Sequence, residues 1–266
     1  MTYRLYAMDT CFNNSITRYP FEVRCEMQAD LGFDATYITC WADESWEDVK
    51  KLPRVKETYG LDVAAVYGVA DLAAPDPRLL NLFETIEACP AIELAIKSSP
   101  SDDETVRFLE PLLKTCERRN LSIYLYPHIN FTLERIEDAV RLCKRMGHPK
   151  LGAMFCGFHW YAIGGKDLGR ALTAAAPFLR QVNLCGSRHD PHGLASKATI
   201  EPLDDGELDN FAVLAHLRRL HFCGMIGFQG YSTGGDPYGK LRRSLTAFRD
   251  MERRLEQHPA WGNHVS

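Results

Sequence analysis

The chain has 266 residues, of which 45% are hydrophobic and 25% are charged, and this is enough to bury the core of one domain. Its 31 basic and 35 acidic residues give a formal charge of −4 without a block dense in lysine and arginine, so nucleic acid is not expected as a partner. No apolar run is close in length to the roughly 20 residues that a helix needs to cross a bilayer, so we expect no membrane association.

The nine cysteines are scattered through the chain without a C-x-x-C pair. An odd number of thiols at irregular spacing is typical of reduced cysteines rather than of a disulfide framework. Residues 1–4 run directly into a strand-like segment and carry no leader character. These features predict a cytoplasmic protein.

Eight short runs rich in β-branched and aromatic residues recur along the chain, each followed by a helical stretch. No G-x-G-x-x-G follows the first run, and the spacing shows no topological break, so a closed sheet is favoured over an open doubly wound one. The pattern predicts a single (β/α)8 TIM barrel domain over residues 1–266. The predicted strands run from Tyr3 to Asp9, Ala35 to Cys40, Asp62 to Tyr67, Ile92 to Lys97, Ser122 to Tyr126, Leu151 to Cys156, Gln181 to Cys185 and Gly224 to Gln229.

Two helix starts can be predicted from the sequence. Apolar residues at 133, 136, 139, 140 and 143 form a helical stripe after the fifth strand. Thr132 is its expected N-cap, without the acidic partner of a capping box. Asp209, at the end of an acidic stretch, is the expected N-cap of a later helix.

Several segments near the ends of the later strands form a recognisable set: Leu125-Tyr126-Pro127-His128, Phe155-Cys156-Gly157-Phe158-His159-Trp160, Glu201 to Asp209, Gly227 to Tyr231, Gly235-Asp236 and Leu241 to Arg249. With these segments the chain resembles the xylose isomerase-like TIM barrels, the sugar phosphate isomerase/epimerase superfamily, and in particular a divergent branch of it. The resemblance covers essentially the whole chain and is most specific over residues 121–249. It implies a small-molecule carbohydrate as ligand and leans toward a homodimer.

The resemblance also implies a set of metal-ligand positions. Typical members of the family hold a divalent metal with Glu, Asp, His and Glu at the ends of strands five to eight. Carried across position by position, those places are Tyr126, Cys156, Asn183 and Gln229 here. The negative charges that would hold a hard cation are therefore replaced. We expect no bound metal and no other cofactor.

His128 and His159 are the predicted catalytic residues. They follow the fifth and sixth strands, so in a closed barrel both border one pocket, and an imidazole can both donate and accept a proton near neutral pH. The alternative is that each ring fixes a loop through a backbone carbonyl. A zinc site is a further alternative, because Cys156 and His159 are spaced C-x-x-H and can be joined by His128 and Cys185.

The other predicted site residues bind substrate. Tyr126, Cys156, Asn183 and Gln229 form a polar, uncharged pocket floor that suits sugar hydroxyls. Flat rings that can stack on a sugar, or simply pack at the top of the barrel, come from Trp41, Tyr67, Trp160 and Tyr231.

Three charged residues complete the predicted set. Lys97 and Arg188 can hold a carboxylate, a phosphate or an enolate oxygen, or else form ion pairs with loop acids such as Asp190. Asp9 closes the first strand and is either a general base or a partner for Asn13 and the nearby backbone.

Together these residues favour an enzyme that moves a proton beside the carbonyl of a sugar or keto-sugar, giving isomerisation or epimerisation. A lyase acting on an oxidised sugar derivative is one alternative. A non-catalytic carbohydrate-binding barrel is another, and the loss of the four ligands favours it. The abasic-site endonuclease branch is set aside because it needs a multi-metal cluster and a basic face.

Overall fold

The computed structural model describes residues 2–264, in which eight parallel strands close into one barrel. The barrel strands are β1 (Leu5–Ala7), β2 (Ala35–Thr39), β3 (Asp62–Asp71), β4 (Ala91–Ser98), β5 (Ser122–Leu125), β6 (Leu151–Cys156) and β7 (Leu179–Leu184), followed, after the outlying β8 (His189–Leu194), by β9 (Met225–Phe228). β9 closes the ring against β1, with Gly227 opposite Tyr6. The predicted (β/α)8 TIM barrel is confirmed. Residues 1, 265 and 266 of the predicted domain lie outside the described residues.

Helices surround the barrel. They are α1 (Phe21–Leu31), α2 (Asp43–Val49), α3 (Val55–Tyr59), α4 (Pro77–Thr85), α5 (Asp102–Arg119), α6 (Ile136–Met146), α7 (Gly157–Ala162), α8 (Leu168–Ala175), α9 (Asn210–Arg219) and α10 (Pro237–Gln257). Short 3-10 turns occur at Asp9–Phe12, Leu52–Arg54 and Pro259–His264. None of the helices within residues 2–264 is both long and apolar enough to cross a bilayer.

Only β6 has its predicted bounds, and the largest differences at strand ends are those of β1 and β3. β1 ends at Ala7 instead of reaching Asp9, because Asp9 begins a 3-10 turn. β3 continues past Tyr67 to Asp71, since its last residues still pair with β4. Both differences lie at the carboxyl ends of strands, where the loops of the barrel mouth begin.

The cap of α6 corrects the prediction for this helix. Its N-terminus is closed by Asp138, whose Oδ2 accepts a hydrogen bond from the backbone N–H of Arg135 at 2.9 Å. Thr132 is not the cap, because its Oγ1 accepts from the backbone N–H of Ser99 at 3.0 Å. The acidic half of a capping box is therefore present, but it lies one turn later than predicted, with Arg135 as the N-cap and Asp138 as the acidic residue.

Between β7 and α9 the chain makes an excursion outside the βα repeat. The segment after β8 folds back against this strand, and antiparallel bridges join Ala198 to His189 and to Leu194. This hairpin places Leu194 at the barrel mouth. After it, Asp209 caps α9 as predicted, with Oδ1 accepting from the backbone N–H of Ala212 at 2.9 Å.

The apolar core has two layers, one between strands and helices and one inside the barrel. The inner layer contains Tyr6 and Tyr37, whose rings stack with centroids 5.3 Å apart. Gly227 makes room for this packing, because a Cβ at that position would lie 2.3 Å from the Tyr6 ring. The inner layer thus combines four buried phenol rings with many small alanine side chains.

Candidate functional site

A cavity of ≈ 170 Å³ opens at the mouth of the barrel, where the carboxyl ends of the strands meet. This is smaller than the about 300 Å³ at which drug-sized pockets begin, so the cavity holds one small molecule. It is lined by Met8, Thr10, Thr39 and Leu194 together with seven residues predicted for the site, Trp41, Tyr67, Tyr126, His128, His159, Gln229 and Tyr231. We refer to it below as the central cavity.

His128 and His159 are brought together by two consecutive βα units. His128 lies in the loop after β5, and His159 lies in α7, which begins directly after β6. Their ring centroids are 4.1 Å apart, and the ring planes meet at 43°. His159 is only 2% exposed, and both rings form part of the cavity wall. Closure of the barrel therefore places the two imidazoles in contact.

Both rings are held by the main chain of Ile129. Nδ1 of His128 lies 2.8 Å from the Ile129 carbonyl oxygen, so this nitrogen carries the proton and donates it. The Ile129 N–H donates to Nδ1 of His159 at 3.3 Å, so that nitrogen is unprotonated. In the neutral rings, Nε2 of His128 consequently has a free lone pair, whereas Nε2 of His159 carries a hydrogen. His128 therefore bonds a backbone carbonyl, as the loop-fixing alternative states, whereas His159 accepts from a backbone N–H.

The surroundings keep both imidazoles neutral near pH 7. Burial lowers the pKa of His128, and the hydrogen bond to the Ile129 carbonyl opposes this effect. Burial, reinforced by the neighbouring His128, lowers the pKa of His159 well below its usual range. A neutral imidazole can still donate its one N–H to an oxygen that becomes negative, and it does so without a charge of its own.

Of the four predicted floor residues, only Tyr126 and Gln229 line the central cavity. Cys156 lines a separate cavity beside His159, and Asn183 lines neither. The Cys156 thiol donates to Oε1 of Gln229, with 3.2 Å between sulfur and oxygen. Burial raises the pKa of Cys156 to about 11 and the pKa of Tyr126 well above its usual value, so both groups keep their protons. Asn183 is fully buried beneath them, with Oδ1 accepting from the Tyr6 phenol.

The four residues at the family's ligand positions do not fit a divalent metal. A protonated phenol, a protonated thiol and two amides offer no negative charge to a hard cation. Among residues 2–264, no three His, Cys, Asp or Glu side chains are grouped closely enough to hold one ion.

Lys97 and Arg188 lie outside the central cavity, in ion pairs. Nζ of Lys97 is 3.0 Å from Oδ2 of Asp71, in the neighbouring strand β3. Arg188 contacts Glu201 at 2.8 Å and Asp205 at 3.0 Å. Both cations therefore form ion pairs with acidic residues, as the alternative interpretation predicted, but the partner of neither is Asp190. Neither charge is placed to neutralise a bound anion in the central cavity.

Asp9 and Trp160 are likewise placed elsewhere. The Asp9 carboxylate accepts from the N–H and the Oγ1 of Thr39 at 2.9 and 2.6 Å and lies 3.5 Å from Arg24. It therefore ties the 3-10 turn after β1 to the end of β2 rather than contacting Asn13. Trp160 packs on Phe155 with centroids 6.1 Å apart and lines a separate cavity behind His159.

Sequence reasoning missed several residues at the site. Thr10, Thr39 and Leu194 line the central cavity, but small polar or aliphatic residues in loops carry no distinguishing signal. Glu93 is a different case: it is fully buried in β4 below the cavity, and the Tyr37 phenol donates to its Oε2 at 2.5 Å. Burial raises the pKa of Glu93 to about 8. The sequence signal that could have identified Glu93 is a single carboxyl group within an otherwise apolar run of β4.

A closed parallel barrel with a cavity at the carboxyl ends of its strands defines a TIM-barrel protein, and the cavity lies at the face where this fold carries its sites. The family model described as xylose isomerase-like TIM barrel matches residues 26–251. The chain belongs to this family. No curated protein sequence matches it.

Several solved structures share the fold. The apo form of 3-keto-D-glucoside 4-epimerase from E. coli has a TM-score of 0.72 at 17% identity, covering 94% of this chain and 100% of that chain. An L-ribulose 3-epimerase has a TM-score of 0.75 at 15% identity, covering 96% and 98%. The probable 3-DHS dehydratase AsbF from Bacillus anthracis has a TM-score of 0.71 at 14% identity, covering 94% and 99%. At these identities the likeness shows the fold alone.

Proposed function

We propose that the protein is an enzyme that moves a proton beside the carbonyl group of a sugar or keto-sugar and does so without a bound divalent metal. The observation that carries this proposal is the opposite tautomers of His128 and His159 in one cavity wall. One ring is a base, and the other is a neutral hydrogen-bond donor. Enolisation needs both of these groups.

In this reaction Nε2 of His128 removes the proton from the carbon next to the carbonyl, and the C–H electron pair forms a C=C bond while the carbonyl π pair moves to oxygen. The Nε2–H of His159 donates to the resulting enolate oxygen. Return of a solvent-exchanged proton from the His128 imidazolium to the same face of this carbon regenerates the ketone, so the C–H is exchanged even without net conversion. Isomerisation, epimerisation and elimination share this first step and differ in where the next proton or hydroxyl goes.

The cavity wall supports a carbohydrate as the ligand. Trp41 and Tyr67 offer ring faces and edges at the mouth, with centroids 6.2 Å apart. Gln229 and the neutral phenol of Tyr126 supply hydrogen-bonding groups without charge, which suits hydroxyls. The solved structures with this fold include two sugar epimerases and a dehydratase, which are among the outcomes of the shared first step.

The second candidate is a barrel that binds carbohydrate without catalysis. It is favoured by the neutral side chains at all four of the family's ligand positions. Such a protein would keep the shape and polarity of the central cavity and would not use the acid–base pair. The two candidates differ in whether a carbon-bound proton is exchanged.

Exchange in D2O distinguishes the two candidates. Keto-sugars that include L-ribulose, D-fructose and 3-keto-D-glucosides are incubated with the protein, and the ¹H NMR signal of the carbon beside the carbonyl is followed. We expect the protein to speed the loss of this signal for at least one compound, and His128→Gln to abolish the effect. Binding without exchange would favour the carbohydrate-binding barrel, and neither binding nor exchange across the panel would contradict both candidates.

A further inference from the structure

The central cavity adjoins a larger cleft on one side of the barrel mouth. This outer cleft has a volume of ≈ 620 Å³ and is lined by residues drawn from segments 12–24 and 41–51. Trp41 contributes to the walls of both spaces, so it stands at their boundary. A molecule bound in the central cavity can therefore extend past Trp41 into the outer cleft. The central cavity alone, at ≈ 170 Å³, holds only one small ring.

The outer cleft exposes apolar surface that the fold itself leaves uncovered. Ile16 is fully exposed, with a relative accessibility of 105%, and Trp41 is 47% exposed. Among the described residues, the other large exposed apolar side chains are Leu80 and Trp261, which line neither space. Exposed apolar side chains gathered at a cavity rim are typical of a ligand-binding surface.

Three cations and two carboxylates line the outer cleft, and Glu22 beside it supplies a third carboxylate, 2.9 Å from Lys51. Arg18 pairs with Glu44 at 2.8 Å, and Arg24 pairs with Asp48 at 2.5 Å. Lys51 also contacts Asp48, at 2.9 Å. Because each cation already has a carboxylate partner, an anionic ligand would have to displace one. The cleft is therefore suited to a neutral ligand that combines apolar surface with hydroxyl groups.

We propose that the outer cleft is a second subsite, which binds a neutral ring joined by a glycosidic bond to the sugar ring in the central cavity. This inference rests on the proposed function, because it takes the sugar ring in the central cavity as given. The substrate class is then a glycoside rather than a free monosaccharide. Trp41 packs beside the glycosidic bond, and Ile16 contacts the outer ring.

The other large cleft that adjoins the central cavity is less suited to this role. It has a volume of ≈ 590 Å³ and shares Leu194 and Tyr231 with the central cavity. None of the four large exposed apolar side chains of the described residues belongs to it. An outer ring placed there would leave Ile16 uncovered.

Calorimetric titration of methyl and 4-nitrophenyl glycosides, in both anomers and with several sugar rings, tests the subsite. Each pair shares one sugar ring and differs in the size of the outer group. We expect the 4-nitrophenyl compound of at least one pair to bind about tenfold more tightly, the gain for burying an aromatic ring partly. Ile16→Ser should reduce that preference below about threefold, and the matched surface change Leu80→Ser, on α4, should preserve it.

The outcomes separate this inference from the function on which it rests. Equal affinity within every pair, while keto-sugars still exchange in D2O, overturns the subsite and leaves the proposed function standing. A preference for the 4-nitrophenyl compounds that survives Ile16→Ser places the outer ring elsewhere and also overturns the inference. Absence of binding by every glycoside, together with absence of exchange, overturns both proposals. Self-association that Ile16→Ser abolishes, without any preference between glycosides, assigns the apolar surface to a second copy of the chain instead.

Discussion

The carbonyl and the N–H of Ile129 hold the imidazoles of His128 and His159 at 2.8 and 3.3 Å, so one residue sets the tautomer of both rings. Ile129 belongs to the loop after β5, whereas His159 belongs to α7 after β6. The bond to His159 therefore joins two consecutive βα units. A change that displaces the loop after β5 is expected to disturb the base and the donor together.

Replacing the two histidines by glutamine should have unequal effects. His128→Gln removes the base and should lower the exchange rate by about 10²–10⁴-fold, the range typical of general acid–base groups. His159→Gln keeps an N–H near the position of Nε2 and should lose less than about 10²-fold, the lower end for loss of an oxyanion donor. Turnover and KM measured on one exchanging keto-sugar compare the two variants.

His159→Asn is the matched control for His159→Gln, because the shorter amide reaches the position of Nδ1 and not that of Nε2. We expect the Asn variant to be slower than the Gln variant, with KM changing less than turnover. Equal rates in the two variants would mean that the Nε2–H of His159 does not contact the reacting oxygen. Unchanged rates in all the histidine variants would reject the assignment of both rings.

The pKa that governs the acid side of the kcat/KM profile should lie below the usual value of histidine. The neutral form of His128 is the base, and burial lowers its pKa from the usual 6.5. The acid-side decline of kcat/KM should therefore have its midpoint below pH 6.5 and approach about tenfold per pH unit at lower pH. A decline that begins above pH 7 would contradict a buried, neutral His128 as the base.

Glu93 should make the folded protein less stable as the pH rises. Its pKa is raised from 4.5 to about 8, so between these values the folded state binds one more proton than the unfolded state. The stabilisation is complete below pH 4.5 and is lost as the pH rises through about 8, with a limiting slope of about 1.4 kcal/mol per pH unit. Glu93→Gln should remove this slope, as urea unfolding at pH 5 and pH 8 would show. If the unfolding free energies of variant and wild type changed with pH in parallel, Glu93 would be ionised in the folded protein and the prediction would be wrong.

Removing the cations outside the central cavity should leave catalysis intact. Lys97→Ala and Arg188→Ala each break ion pairs whose cationic side chains are about half exposed, and such pairs contribute about 1 kcal/mol or less. We expect unchanged exchange rates and small shifts in thermal unfolding. A tenfold loss of exchange rate in either variant, without a matching loss of stability, would show that the cation reaches the substrate.

Exchange should not depend on a divalent metal. The four groups at the family's ligand positions are neutral, because the pKa values of Tyr126 and Cys156 are raised by burial and the other two groups are amides. Dialysis against EDTA should leave the exchange rate unchanged, and added manganese or zinc should not increase it. Elemental analysis of protein purified without chelators provides the independent check, and a stoichiometric metal would overturn this prediction.

The barrel could be predicted because its strands are buried on both faces, so each appears as a short apolar run between helical stretches. All eight predicted strands overlap barrel strands. The ends were less predictable, since they depend on individual side-chain pairs. The bond from Arg135 to Asp138 moves the start of α6, and the turn at Asp9 shortens β1.

Position at a strand end predicted part of the candidate site but could not distinguish residues that face inward from those that face outward. His128 and Gln229 line the central cavity, whereas Lys97 turns to Asp71 and Arg188 turns to Glu201. An oppositely charged neighbour decides the direction of a long cationic side chain, and such neighbours come from other segments of the chain.

The sequence by itself determined the eightfold repeat and the placement of two histidines after adjacent strands, because both are properties of local spacing. Only the tertiary structure decided that Nε2 carries a free lone pair in His128 and a hydrogen in His159. A tautomer is set by the hydrogen bond that the other ring nitrogen makes, and the bond between Ile129 and His159 exists only when β5 and β6 lie side by side.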